Sequence, residues 1–446
     1  MKETYCLMPV LAGDVSGIAG ALYELGGMVI IDDPSGCNST FNTHDELRWF
    51  HERSDIYISG LNMRDAIIGN DKKLIDDIIS TADKMTYKPG FIALSNSPVP
   101  YLTGRDYEGI SRLLEKKLDI PVFYVPSNGC HDYIRGAGMA WTEFLKKFSS
   151  LISKKKKNDN LFRLNIAGMM PLDYGNRRSL HSLKELLSKA GFEINSVFSM
   201  NENYKYEKSE DRQELFNEIL RCGEADLTLV ISSSGIMPAE YLKRKFGVPY
   251  IAGVPFEVEN DPVIRKIEAA KAAVNAGSDI NNYRTTVNES IIRESDEFEK
   301  NKIKNLKTNE FDKNIEINSG NGEVPDTEIK KSDRKLLIIS EPVLGLSLAE
   351  YAGKCRETIV IDPTESDFNQ TGESVKLLKI RDEETLERFV SENGDFDVIS
   401  DPEYFCLFSD KVKKISMPAL SVSGRIYRNE FIDYFRPGQV RKLLCQ

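Results

Sequence analysis

The sequence predicts an α/β protein of three successive domains, each a mostly parallel sheet flanked by helices. Three observations carry this. Apolar, β-branched runs recur roughly every 30 residues, each followed by a segment with helical spacing, the rhythm of βαβ units. Several runs end in small, polar or proline-containing loops, as strands do at the ligand-binding edge of a parallel sheet. The rhythm breaks at two highly charged stretches and restarts after each. The expected division is a Rossmann-like domain over 1–158, a second over 159–285, a charged linker over 286–333 and a third over 334–446.

The chain has 446 residues, more than one ordinary core accommodates. With 41% hydrophobic and 29% charged residues its composition is that of a soluble globular protein. No apolar run approaches the roughly 20 residues of a membrane span, and MKETYCLMPVLAGD lacks the pattern of a signal peptide. The expectation is a cytoplasmic protein without a membrane partner. A net charge of -10 and a pI near 5.3 argue against nucleic acid as a partner. The 7 cysteines are scattered without a CxxC pair, which excludes zinc-finger and bacterial-ferredoxin spacings. An odd count also speaks against a disulfide framework. Any site they form must assemble through the fold.

In the first domain, Cys6 precedes LMPVLAGDVSGIAGALYEL, a helix whose Gly17 and Gly20 suit close packing. GGMVIIDDPSGC follows, a short strand ending in Gly36-Cys37. SDIYISGL is a second strand, and IIGNDKKL is a turn opening an amphipathic helix with Leu74, Ile75, Ile78 and Ile79 on one face. YKPGFIALSNS is a third strand, and IPVFYVPSNGC a fourth that again ends in Gly-Cys, at Gly129-Cys130, before His131. A lone Gly-Cys is as readily a buried small hydrophobe. Two at equivalent strand ends, with Cys6 before a glycine-spaced helix, favour a site.

The ordered set of Cys6, Gly36-Cys37, IIGNDKKL, YKPGFIALSNSPVPYLTGRD and VPSNGCHDYIRGAG resembles the N-terminal domain of nitrogenase component 1 chains. That family includes nitrogenase α and β chains, a cofactor-assembly scaffold and protochlorophyllide reductases. The resemblance implies that Cys6 and Cys37 fall on the first two cluster-ligating cysteines and Cys130 near a further ligand position. The third family cysteine would fall at Pro98, where this chain has none. An iron–sulfur cluster of the 4Fe-4S type, or a larger P-cluster-like one, is therefore implied on Cys6, Cys37, Cys130 and a partner-chain residue. His131 is the candidate proton donor, with His44 as a second; imidazoles change charge near neutral pH.

The second domain begins after the charged run SKKKKNDN. LFRLNIAGMM is a strand, and ADLTLVISSSGIMPAEYLKRKFGVPYI reads as strand, loop, helix and strand. In catalytic nitrogenase α chains a cysteine at this loop binds the iron–molybdenum cofactor. Here it reads Ser232-Ser233-Ser234-Gly235, a tight turn or an anion-binding loop, and Cys222 lies well before it. The third domain shows strands at RKLLIIS, RETIVIDPTES, FDVISDPEYF and PALSVSGRIYRNEF. Asp362 and Asp401 at strand ends fit caps better than catalytic groups. No histidine lies beyond His181, so the family's cofactor-binding histidine is absent, as is a Walker A motif.

The leading expectation is thus a subunit of a nitrogenase-like iron–sulfur oxidoreductase. It would pair with a homologous component 1 chain or a second copy of itself, as a dimer or tetramer. Low-potential electrons would come from an ATP-dependent iron–sulfur reductase and pass to a substrate or cofactor site other than standard dinitrogen reduction. The alternatives are a non-catalytic scaffold for metallocofactor assembly, and a fold that has kept its shape without a cluster.

Overall fold

The computed structural model describes residues 10, 12–35, 48, 55–154, 162–175, 177–198, 200, 209–275, 334–353, 356–368, 375–393 and 396–445. Cys6, Cys37, His44 and the charged linker over 286–333 lie outside these residues.

Among the described residues, thirteen strands form three all-parallel sheets. The first holds β1 (Met28–Asp32), β2 (Ile56–Ile58), β3 (Ile92–Asn96) and β4 (Val122–Tyr124) in the order β2-β1-β3-β4. The second repeats that order with β5 (Arg163–Ala167), β6 (Glu193–Val197), β7 (Leu227–Val230) and β8 (Tyr250–Ala252), as β6-β5-β7-β8. The third runs β11-β10-β9-β12-β13, from β9 (Lys335–Ile339), β10 (Thr358–Asp362), β11 (Lys376–Lys379), β12 (Phe396–Ser400) and β13 (Lys413–Ser416). In each sheet the winding reverses beside the first strand. Ligands of open α/β sheets collect in the crevice at the carboxyl ends of the strands at such a reversal.

The helices that position the site are α1 (Asp14–Leu22), α2 (Met63–Ile68), α3 (Asp71–Lys84), α4 (Pro98–Thr103), α5 (Tyr107–Leu118) and α6 (Tyr133–Lys147) from the first third of the chain. Helices α7 (Pro171–Tyr174), α8 (Arg177–Lys189), α9 (Ser209–Leu220), α10 (Ile236–Phe246) and α11 (Pro262–Asn275) flank the second sheet. Helices α12 (Pro342–Ala352), α13 (Glu383–Asn393), α14 (Leu420–Ser423) and α15 (Gln439–Cys445) complete the chain.

The glycine spacing of α1 has the packing role its sequence suggests. A Cβ on Gly17 would overlap the Tyr133 carbonyl, and one on Gly136 the Asp14 backbone, so α1 and α6 approach backbone to backbone. Helix α6 then joins two sheets. Its Trp141 meets Phe198 of the second unit at 4.9 Å between ring centroids, and its Phe144 packs edge-on to Phe91 of the first at 5.4 Å. Each fully buried aromatic of this kind contributes about 2–3 kcal/mol. One apolar core thus runs from the first sheet into the second, and another from the second into the third, where Leu164 and Ile166 cluster with Leu336 and Ile338.

Two local expectations are corrected. PALSVSGRIYRNEF is not a strand; it forms the short helix α14 and a run of turns, and the neighbouring strand is Lys413–Ser416. Asp401 Oδ2 accepts from Ala419 N and Ser423 Oγ at 2.8 Å each, which ties both ends of this helical turn to the loop after β12. Ahead of α3, Ile67 and Ile68 are not turn residues but the last of a separate short helix, α2, which ends at left-handed Gly69. Among the described residues no helix is long and apolar enough to cross a membrane.

Candidate functional site

The carboxyl edge of the first sheet gathers the exit of β1, Pro98 and the loop that carries Cys130. β1 ends at Asp32 and leads through Ser35 toward Cys37, while β3, its neighbour, ends at Asn96 and leads into Pro98. The Ser97 N–H donates to the Asp32 carbonyl at 3.1 Å and holds these two strand ends together. β4, on the other side of β3, leads through Pro126 and Ser127 into Gly129 and Cys130. Gly129 rests directly on the Pro98 ring. Hence the position where the family resemblance places a third cysteine touches the loop that carries Cys130.

The segment 12–14, which follows the stretch containing Cys6, is stitched to the same loop. Asp14 N donates to the His131 carbonyl at 2.8 Å and Tyr133 N to the Ala12 carbonyl at 3.0 Å, an antiparallel bridge between Gly13 and Asp132. The Asp14 carboxylate is fully buried, and its Oδ2 accepts from the backbone N–H groups of Asn128 at 3.2 Å and Gly129 at 3.0 Å. Burial pushes the Asp14 carboxyl up, and those backbone donors pull it back. Asp14 was not visible as a site residue in the sequence; its one signal is an acid at the first turn of a glycine-spaced helix.

Cys130 is exposed and unpaired, its N–H donating to Asn128 Oδ1 at 2.9 Å and its Sγ to the Asn128 carbonyl at 3.6 Å. Nδ1 of His131 lies 2.8 Å from Glu365 Oε2, and Nε2 lies 3.3 Å from Asn128 Nδ2. Glu365 sits on the loop after β10, so the third sheet is latched onto the Cys130 loop. The Glu365 N–H also donates to Asp132 Oδ2 at 2.6 Å. Among the described residues, no three His, Cys, Asp or Glu side chains are grouped to hold a metal ion. Cys130 is the only one of the three candidate thiols that lies within them.

The Ser232–Gly235 loop is a tight 3-10 turn, with Ser232 at its cap. Its Ser233 N–H is taken by a carboxylate of the chain itself, Glu341 Oε1 at 2.7 Å, which also caps α12 through Val343 N and Leu344 N. Cys222 is fully buried in the core, where desolvation pushes its thiol far up; it is a packing residue. Asp362 likewise turns inward, accepting from Thr364 N at 2.8 Å and Thr364 Oγ1 at 2.6 Å.

Beside the Cys130 loop lies an apolar surface. Helices α2 and α4 pack together and expose Met63 at 81%, Ile67 at 77% and Leu102 at 82%, with Ile68, Val99 and Tyr101 of the same two helices also exposed. Exposed apolar groups that cluster in this way mark contact surfaces.

A family model described as nitrogenase component 1 type oxidoreductase matches residues 20–308, well over half of the 446-residue chain. The B component of the light-independent protochlorophyllide reductase of Angiopteris evecta is 25% identical over 232 residues, 49% of this chain and 42% of that protein. The corresponding protein of Trichormus variabilis is 31% identical over 132 residues, 29% of this chain and 23% of that protein. The matched stretch is therefore less than half the length of these curated relatives. A solved structure, "Nitrogenase Cp1 at pH 6.5", shares the fold with a TM-score of 0.60 at 15% identity, over 100% of this chain and 93% of that chain.

Proposed function

Because the chain belongs to the nitrogenase component 1 type oxidoreductases, we propose that it is an electron-relaying subunit holding an iron–sulfur cluster at the carboxyl edge of its first sheet. The observation that carries this reading is the convergence of three chain segments there: the exit of β1 toward Cys37, Pro98, and the Cys130 loop packed on Pro98. Cys6, Cys37 and Cys130 would hold the cluster, with a further ligand from a partner chain. Soft thiolates suit iron, and a cluster supplies single-electron transfer at a potential set by charge and burial.

This chain's own residues prepare the edge. Asp14 fixes the backbone of Asn128 and Gly129, and so the direction in which Cys130 leaves the sheet. Glu365 engages Nδ1 of His131 and Asn128 engages Nε2, which favours a positioning role for that histidine over proton donation. We assign the apolar face of α2 and α4 to the ATP-dependent reductase, which has to approach the cluster closely to deliver electrons. A homologous component 1 chain, or a second copy of this one, would supply the missing ligand. The division into domains at 158, 285 and 333 is part of the same reading.

The occupied Ser232–Gly235 loop supports relay over cofactor catalysis in this chain. Glu341 fills the position of an outside anion, and neither a thiol nor an imidazole is present in that loop. The same contact weighs against the scaffold alternative at this loop. The experiment is reduction of the anaerobic protein by the reductase with ATP, followed by EPR. A cluster signal that appears only with ATP and reductase supports relay. A signal indifferent to the reductase contradicts it.

A further inference from the structure

Glu365 follows a strand of the third sheet and Cys130 a strand of the first, yet one unbroken line of hydrogen bonds joins them. Glu365 Oε2 lies 2.8 Å from His131 Nδ1, His131 Nε2 lies 3.3 Å from Asn128 Nδ2, and Asn128 Oδ1 accepts from Cys130 N at 2.9 Å. The line has a fixed sense. A backbone N–H only donates, so Asn128 turns its oxygen to Cys130 and its Nδ2 to the ring. Nε2 then accepts, and the ring's Nδ1–H points at the Glu365 carboxylate. The Asn128 carbonyl meanwhile takes the thiol, from Cys130 Sγ at 3.6 Å.

The end on the third sheet is the braced one. Asp362 Oδ1, at the end of β10, accepts from Thr364 N at 2.8 Å and Thr364 Oγ1 at 2.6 Å. The carbonyls of Thr364 and Ser366, on either side of Glu365, accept from Arg381 Nε at 2.9 Å and Lys379 Nζ at 2.7 Å. Glu365 also grips the start of α6: its N–H donates to Asp132 Oδ2 at 2.6 Å, and Asp132 N donates to Glu365 Oε2 at 3.3 Å. Asp132 Oδ1 in turn caps α6 at Arg135 N. At the other end, the described hydrogen bonds of Cys130 both go to Asn128.

We infer that Glu365 is a positioning residue for Cys130: through His131 and Asn128 the third sheet sets where the thiol sits and how freely it reacts. The thiol is thereby placed twice, by β4 through the backbone and by β10 through a line of side chains. The inference rests on the cluster reading only for its consequence at iron, where a displaced Cys130 alters the cluster. The thiol itself reports the rest.

Labelling of the full chain, kept free of iron, with N-ethylmaleimide tests this without any metal, the rate at Cys130 being read by mass spectrometry. Glu365→Ala is expected to label Cys130 about three to ten times faster, the release of one hydrogen bond's restraint. Glu365→Gln, whose amide oxygen still accepts both N–H groups, keeps the wild-type rate. Asn128→Ala cuts the last link while leaving Glu365 on His131 and Asp132, and is expected to match Glu365→Ala. With both substitutions the rate rises no further, because both break the same line. Cys222, fully buried, stays unlabelled in every variant as long as the fold is intact. A wild-type rate in Glu365→Ala, or effects of the two substitutions that multiply, overturns the inference. In the iron-loaded chain Glu365→Ala is expected to change the EPR signal and Glu365→Gln to keep it. A wild type without any such signal contradicts the cluster reading, and the labelling rates still decide the role of Glu365.

Discussion

Gly129 and Pro98 stand in direct contact at the carboxyl edge of the first sheet. A methyl group on Gly129 would overlap the proline ring, and Gly129 has a φ of +70°. Gly129→Ala therefore combines a left-handed backbone penalty with an overpacked contact. The expected loss is about 2–4 kcal/mol of unfolding free energy, measured by denaturant titration. A loss under about 0.5 kcal/mol would mean that the loop carrying Cys130 can move freely off β3.

Glu341 joins the third sheet to the second through the Ser233 N–H while capping its own helix. Glu341→Ala leaves three buried N–H groups without an acceptor, at an expected cost of about 2–4 kcal/mol. Glu341→Gln keeps part of the bonding and is expected to cost less than half of that. Chemical denaturation of the two variants side by side measures the difference. Equal losses would mean that shape, and not the carboxylate, joins the sheets.

These long contacts explain what could and could not be seen in the sequence. Strands β1, β7, β9, β10 and β12 are largely apolar runs rich in β-branched residues and buried on both faces, so local pattern suffices to find them. β11 (Lys376–Lys379) is an edge strand with an exposed lysine at each end and carries no such pattern. The strand expected over PALSVSGRIYRNEF failed because Asp401, on the loop after β12, bonds Ala419 N and Ser423 Oγ and so holds the segment in a helical turn. The Gly-Cys strand end at Cys130 is legible because glycine and thiol are adjacent. Glu365 on His131 and Glu341 on Ser233 are not, because the partners lie 234 and 108 residues apart with no local signature.

Burial pushes the Asp362 carboxyl up to about 7 from its ordinary 3.8. A raised carboxyl binds more protons in the folded than in the unfolded state, so stability falls as pH rises between those values. The contribution is fully present below about pH 4 and is lost as the pH rises through about 7. Relative to the wild type, Asp362→Asn is expected to be more stable at pH 8 than at pH 5, about neutral at the lower value. Thermal melts at the two pH values test it. A constant difference would place the carboxyl in its ordinary range.

Ile67 and Leu102 are 77% and 82% exposed, so Ile67→Asp and Leu102→Glu are expected to change stability by less than about 0.5 kcal/mol. Both are expected to weaken association with the reductase at least tenfold, read by sedimentation or surface-bound reductase. Undiminished binding in the doubly substituted protein would assign the apolar face to another partner.

The most direct test of the central claim is the iron and acid-labile sulfide content of anaerobically purified protein, with EPR, for wild type, Cys37→Ala and Cys130→Ala. About four or more irons per site are expected in the wild type. In both variants the cluster is expected to be lost or to change its signal, while circular dichroism stays unchanged. Iron-free protein purified anaerobically with its natural partners would contradict the account, and the cysteines would then be packing and surface residues.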